Sequence, residues 1–316
     1  MKKLLKLKGL LKKFLSIILP APLFRSIRLI KPEIIRRIRL RSVKSKIAKS
    51  LPLTEKRSKL RFEVHLVEHC NLNCKGCSDF APLAEPEFLD VEEFRRDVTR
   101  LAELFGHECD RVYLMGGEPL LHPDLLEFMR ITRQVLPEGD IYVFSNGILL
   151  PKMPDDFWKA CHDNNIRIWV SAYPIKIDAD TIKAKAAKFG VNFEWAWNDA
   201  SSTKDIFDIV PINLGGDSDI KLQFGMCGRA NNCIVLSHGR LFTCSFAPHV
   251  HHFNKYFGQN VVITEDDYID IYQDLTADEI CQKLSEPIPA CRYCRKVEPV
   301  RTFTWGTSKR NINEWL

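Results

Sequence analysis

The chain has 316 residues, 45% of them apolar, enough for a sizeable core in one large domain, or in one large and one small. Its formal charge of +6 is unevenly spread: residues 1–61 carry 20 Lys/Arg against 2 acids, so the remainder is acidic. The eleven cysteines fall mostly in short clusters, which favours metal ligation over a disulfide framework. Reduced thiolates imply a reducing, cytoplasmic compartment.

The basic stretch, residues 1–60, shows two amphipathic helical patterns. Leu4, Leu7, Leu11, Phe14, Leu15 and Ile18 recur at helical spacing with lysines between them. Ile27, Ile30, Ile34 and Ile38 repeat the pattern after Pro20-Ala21-Pro22, with arginines between them and Pro32 inside it. The longest charge-free run, Phe14 to Phe24, has 11 residues. A membrane span needs about 20, so a transmembrane helix is excluded. The expectation is a peripheral anchor on anionic lipid at the inner membrane face, through residues 1–40. The plainer reading is a solvated or core-packing arm. No small-residue cleavage site follows the apolar run, which argues against a signal peptide. Too few aromatics are present to stack on bases, which argues against nucleic acid.

From residue 61 the pattern alternates strand and helix. Arg61 to Val67 is β-branched and alternating, and reads as a strand. A helix is expected over Val91 to Phe105 and a strand over Asp110 to Met115. Helix Pro123 to Val135, strand Asp140 to Ser145 and helix Asp155 to Asp163 come next. Strand Ile166 to Ala172, helix Ala179 to Phe189 and strand Val191 to Trp197 complete the series. This rhythm predicts an α/β fold with a parallel sheet over residues 61–214, with its polar motifs at strand carboxyl ends. From residue 215 the rhythm changes. Ser237-His238-Gly239-Arg240 reads as a hairpin turn, and Thr276-Ala277-Asp278-Glu279 as a capping box opening a helix that carries Cys281. Residues 215–316 therefore read as a second, smaller module.

The first strand runs into Glu68-His69-Cys70-Asn71-Leu72-Asn73-Cys74-Lys75-Gly76-Cys77. Three thiolates on one short loop can hold three corners of an iron–sulfur cube and leave one iron open, whereas a structural zinc site closes with four ligands. The next strand ends in Gly116-Gly117-Glu118-Pro119 and the third in Ser145-Asn146-Gly147. Together these motifs resemble the radical S-adenosylmethionine (SAM) superfamily over about residues 60–200.

The resemblance implies a partial (β/α)6 TIM-like barrel with a [4Fe–4S] cluster on Cys70, Cys74 and Cys77. It implies that Gly116, Gly117 and Glu118 bind the methionine end of SAM, and that Ser145, Asn146 and Ser171 line its ribose or carboxylate side. An ordinary turn is the bland reading of Ser145-Asn146-Gly147. The residue before the third cysteine is often aromatic in this family. Here it is Gly76, with Phe80 the expected substitute near adenine. Further on, Cys227, Cys244, Cys291 and Cys294 are similar to the auxiliary-cluster modules called SPASM or twitch, which implies a second [4Fe–4S] cluster. A four-cysteine zinc site would use the same residues. Cys233 and Cys281 are substitute ligands, while Cys109 and Cys161 read as buried apolar residues. His249, His251 and His252 admit phosphate contacts or metal ligation, with a polar loop as the expectation. Glu194-Trp195-Ala196-Trp197-Asn198 could line a substrate pocket or pack the core.

By resemblance, SAM is cleaved to a 5′-deoxyadenosyl radical that takes hydrogen from a substrate. A flavodoxin- or ferredoxin-like donor would supply electrons. The expectation is a small-molecule substrate, a sugar or glycan precursor of surface-polysaccharide biosynthesis, oxidised or epimerised. A peptide-modifying enzyme is the alternative, and a non-enzymatic zinc scaffold the third reading.

Overall fold

The structure is a computed structural model that describes residues 60–196, 206–209, 211–227, 229–230, 234–295 and 301–316. The chain divides into two units, Met1–Ser50 and Leu51–Leu316, and all described residues lie in the second. The two expected helices of the basic stretch, Cys233, Trp197 and Asn198 lie outside the described residues. Among those described, no helix is long and apolar enough to cross a membrane.

Five strands and four helices alternate as expected: β1 Leu60–Val67, α1 Val91–Phe105, β2 Cys109–Gly116, α2 Leu125–Val135, β3 Asp140–Ser145, α3 Asp155–Asp163, β4 Ile166–Val170, α4 Ala179–Phe189 and β5 Phe193–Trp195. Local chemistry explains their limits. Asp90 caps α1 by accepting from the backbone N–H groups of Glu92 and Glu93, and those two acids sit favourably at the helix N-terminus. The last expected strand is shorter than its apolar run and ends at Trp195.

The remaining elements are β6 Ile206–Ile209, α5 Ile220–Met226, β7 Ile234–Ser237, β8 Arg240–Phe242, α6 Phe246–Phe257, β9 Ile269–Asp270, α7 Ala277–Leu284 and β10 Arg301–Thr304. The hairpin turns at His238-Gly239 between antiparallel β7 and β8. The capping box is present, with Thr276 and Glu279 satisfying each other's backbone N–H groups.

The main sheet has the order β5-β4-β3-β2-β1-β7-β8-β9. Strands β1 to β5 are parallel, as in a partial barrel. The sixth parallel strand is β7, on the opposite side of β1 from β2. It comes from beyond residue 214, so the sheet's hydrogen bonding runs from the first expected segment into the second. β6 and β10 form a separate antiparallel pair.

Strand periodicity sorts the two faces of the parallel sheet. Phe62, Val64, Leu66, Val112, Leu114, Ile141, Val143, Ile168 and Val170 join Phe94, Val98, Leu101 and Phe128 of the helices in the main core. The alternate positions carry Arg111, Tyr113, Tyr142, Phe144, Arg167 and Trp169. Tyr113 lies 5.6 Å from Trp169 and 5.5 Å from Tyr142, ring centroid to ring centroid. The Arg111 guanidinium sits 4.8 Å over the Tyr142 ring. Arg111 and Arg167 both pair with Asp140, at 3.5 and 3.6 Å. The helix-free face is thus aromatic and charged.

A second apolar cluster contains Phe80, Leu83, Ile212, Val250, Phe253, Tyr293 and Trp315. It sits between the segment after the cysteine loop, α6 and the C-terminal residues. Cys109, Cys161 and Cys281 are buried in the main core. That agrees with the reading of the first two and removes Cys281 from the candidate ligands: on α7 it packs beside Ile280 and Leu284.

Candidate active site

The cysteine loop leaves β1 at Val67 and is clamped by backbone contacts. Gly117 N–H donates to the Val67 carbonyl at 2.7 Å, and Glu118 N–H to the His69 carbonyl at 3.1 Å. This closeness explains the glycines. A Cβ on Gly117 would lie 2.0 Å from the His69 oxygen, and one on Gly116 2.3 Å from the Val67 oxygen.

The sulfurs of this loop receive hydrogen bonds. Cys70 Sγ accepts from Leu72 N–H at 3.4 Å and from Asn146 Nδ2 at 3.6 Å. Cys74 Sγ accepts from the Trp305 indole N–H at 3.2 Å. Burial pushes the Cys70 thiol up to about 12 and raises that of Cys77. Three half-buried to buried thiols with N–H donors aimed at sulfur are the donor set an iron–sulfur cluster takes; the bound metal would hold them as thiolates.

Glu118 is fully buried. Its Oε1 accepts from Ser145 Oγ at 2.7 Å and Leu120 N–H at 3.2 Å, and its Oε2 from Asn146 N–H at 2.9 Å. Burial raises this carboxyl to about 7 despite those hydrogen bonds. Glu118 therefore braces the turn after β3 from beneath. Asn146 reaches onward to the cysteine loop, donating to Asn71 Oδ1 at 2.7 Å. Ser171 Oγ, at the end of β4, is buried without a hydrogen-bond partner. A hydroxyl so placed fits a bound polar group, as does the close glycine turn.

Phe80 is 2% exposed and packs against Phe246, Phe253 and Trp315. Its ring is spent on the second apolar cluster, so the expected adenine contact finds no support there. Gly76 has φ +60°, and a Cβ on it would lie 2.8 Å from the Phe303 ring. An aromatic ring from β10 thus occupies the space beside the residue where related loops carry their own.

The C-terminal segment covers this loop more widely. Lys75 N–H donates to the Gly306 carbonyl at 2.8 Å, Ser308 N–H to the Asn73 carbonyl at 2.8 Å and Trp315 Nε1–H to the Cys77 carbonyl at 2.8 Å. No short-range signal marks contacts between residues more than 200 positions apart. The tryptophans themselves were the available clue, since their N–H groups need partners when buried.

Cys227, Cys244, Cys291 and Cys294 line one cavity together with Phe224, Phe246, Ile288 and Ala290. Burial and the neighbouring Cys227 sulfur raise the Cys244 thiol. Burial, then Cys244 and Cys227, push Cys291 up to about 12. Four cysteines lining one apolar cavity are a donor set that a four-thiolate metal group would use.

The histidines expected in a polar loop instead lie on α6, with His249 and His252 buried. The missed signal was their spacing of three, which puts both on one helix face. His252 Nε2 is 2.7 Å from Glu68 Oε2. Burial of Glu68 is outweighed by this hydrogen bond and the surrounding imidazoles, which hold its carboxyl down at about 2. Burial and the adjacent His249 lower His65 to about 4.

Residues 64–196 match the radical SAM superfamily. It is 32% identical over 165 residues to a probable GTP 3′,8-cyclase of Thermoplasma volcanium, covering 52% of this chain and 44% of that protein. It is 35% identical over 101 residues to molybdenum cofactor biosynthesis protein 1 of Bos taurus, covering 31% of this chain and 15% of that protein. The matched stretches thus span less than half of these relatives' lengths. Among solved structures, BtrN in complex with AdoMet and 2-DOIA aligns at 15% identity with a TM-score of 0.44, covering 74% of this chain and 92% of that one.

Proposed function

We propose that this protein is a radical SAM enzyme that takes hydrogen from a sugar or glycan precursor, oxidising or epimerising it. The observation that carries the reading is the meeting of three thiols with the glycine–glycine–glutamate turn at the carboxyl ends of β1 and β2. Cys70, Cys74 and Cys77 would hold the first [4Fe–4S] cluster, and Gly116, Gly117, Glu118, Ser145, Asn146 and Ser171, at the strand ends, would hold SAM. When bound, these cofactors supply abstraction of hydrogen from an unactivated C–H bond. The protein's part is positioning. Glu118 locks the β3 turn against the β2 turn, Asn146 ties that turn to the cysteine loop, and residues 303–315 cover the loop. Cys227, Cys244, Cys291 and Cys294 would hold a second iron–sulfur cluster of the twitch type.

The helix-free face supports a ring substrate: Phe144 and Trp169, near the carboxyl ends of β3 and β4, offer ring faces on the side of the cysteine loop. A nucleotide is the second reading, favoured by the name GTP 3′,8-cyclase among the relatives. The test is anaerobic reconstitution with SAM and dithionite, reading iron and 5′-deoxyadenosine. About eight irons per chain are expected with two four-iron clusters. Cys74→Ala should abolish 5′-deoxyadenosine; its persistence would sink the assignment. Repeating the reaction with sugar nucleotides and with GTP separates the substrate classes. In deuterated water, deuterium retained on carbon marks epimerisation and loss of two hydrogens marks oxidation. In the cell a flavodoxin- or ferredoxin-type protein would replace dithionite. The basic N-terminal stretch would bring the enzyme to a membrane face, and a chain lacking residues 1–58 that binds anionic vesicles as well as the full chain would refute that role.

A further inference from the structure

We propose that His65, Asp79 and His249 form a binding site for one divalent transition-metal ion, zinc in the first instance, separate from both sets of thiols. The three residues come from three distant segments: β1, the stretch following Cys77, and α6. One ligand atom from each lies within 4.8 Å of the others. The His65 and His249 rings stack at 4.1 Å with 30° between their planes. Both are buried, at 6% and 1% exposed.

The hydrogen bonding of His249 fixes its role. Its Nδ1 lies 2.7 Å from the Ser245 carbonyl oxygen. A carbonyl only accepts, so Nδ1 carries the hydrogen and Nε2 of the neutral ring presents a lone pair. Among the described residues nothing donates to that lone pair: Nε2 is buried without a hydrogen-bond partner, as is His65 Nε2. Besides Asp79, a second carboxylate, Glu68, brings Oε2 to 3.8 Å from His249 Nε2, and it too is an acceptor. A buried acceptor facing another acceptor is unfavourable unless a cation or a proton lies between them. Imidazole ligands commonly donate their second N–H to a backbone carbonyl, as His249 does to Ser245.

The charge balance points the same way. Asp79 and Glu68 bring two carboxylates to the cluster, and Arg229, which also faces Asp79, offsets one. An anionic ligand such as phosphate would meet that negative excess, so the phosphate reading of these histidines is disfavoured. Two imidazoles and one carboxylate suit zinc or iron(II) and leave a coordination position open. Zinc with ligands at about 2.0–2.2 Å would draw the three atoms inward, and so tie β1, the cysteine-loop exit and α6 to one point.

The test uses the anaerobically reconstituted full chain, incubated with Zn(II) and desalted. One zinc per chain is expected beyond the iron, with only nitrogen and oxygen neighbours near 2.0–2.2 Å by X-ray absorption. His65→Ala and His249→Gln should each weaken zinc retention at least tenfold while the iron content is unchanged. Zinc that fails to bind the wild-type protein, zinc with sulfur neighbours near 2.3 Å, or zinc retained equally by both variants would overturn the site. The wild-type absorption spectrum decides the matter even where a variant folds poorly.

Discussion

Replacing Gly117 by alanine tests whether the close approach of β2 to the cysteine loop holds that loop in place. The added Cβ would lie 2.0 Å from the His69 oxygen, 2.3 Å from its carbonyl carbon and 2.9 Å from the Cys70 nitrogen. All three are backbone atoms, so relief requires the strand end and the loop to separate. Separation would break the Gly117-to-Val67 and Glu118-to-His69 hydrogen bonds. Each contributes about 0.5–1.5 kcal/mol. Overpacking adds about 1–3 kcal/mol. Together the expected loss is roughly 2–6 kcal/mol, about 4 kcal/mol at the centre of the range. Gly139→Ala is the control: its nearest contact would be at 3.5 Å and its φ is not left-handed. It should be neutral or stabilise by about 0.4–1 kcal/mol through the unfolded chain. The assay is urea unfolding of both variants beside the wild type, followed by iron retention after anaerobic reconstitution. Gly117→Ala should lower the midpoint and lose iron from the first site while Gly139→Ala does neither. An unchanged midpoint and iron content for Gly117→Ala would refute the argument.

Three other outcomes are expected. Trp305→Phe removes the indole N–H that reaches Cys74 Sγ, and donors to sulfur favour the reduced cluster, so the reduction potential of the first cluster should become more negative in a redox titration followed by electron paramagnetic resonance. Glu118 is an acid held at about 7 by burial, so its burial costs nothing below its unfolded value of 4.5 and progressively more as pH rises through 7, to about 3 kcal/mol. Comparing wild type with Glu118→Gln, the stability difference should vary with pH between about 4.5 and 7 and level off above it; a flat difference would contradict this. Tyr272→Phe removes the hydroxyl that donates to buried Asp97 Oδ1 at 2.7 Å, and should destabilise the link between α1 and the segment following β9 by about 1–2 kcal/mol in urea unfolding.

Much of the fold was legible in local pattern. The limits of α1, β3, α3 and α4 follow from caps and apolar periodicity, which act within a few residues. The helix-free face was also written in the strands, as the alternation of Arg111-Val112-Tyr113 and Arg167-Ile168-Trp169 shows. The cysteine loop and its glycine turn were readable because metal chemistry demands fixed spacing. What sequence reasoning missed is non-local. Nothing near Cys77 announces that Trp315 donates to its carbonyl, and nothing near His65 announces that His249 stacks on it from a helix 184 residues away. Phe80 misled for a related reason: its proximity to Cys77 suggested a cofactor contact, but its left-handed backbone and the aromatic residues brought to it by folding place it in an apolar cluster.

The contacts of residues 303–315 with the cysteine loop bear on the order of events during synthesis. Cys74 and its donor Trp305 are 231 residues apart, and Cys77 and Trp315 are 238 apart. On a ribosome working at about 5–20 residues per second, the loop is made tens of seconds at most, and no less than about ten, before the residues that cover it. Throughout that interval the three thiols have β1 beneath them and no lid of tryptophan and phenylalanine above. Iron delivered then meets an open loop, and translation of the final segment closes over it.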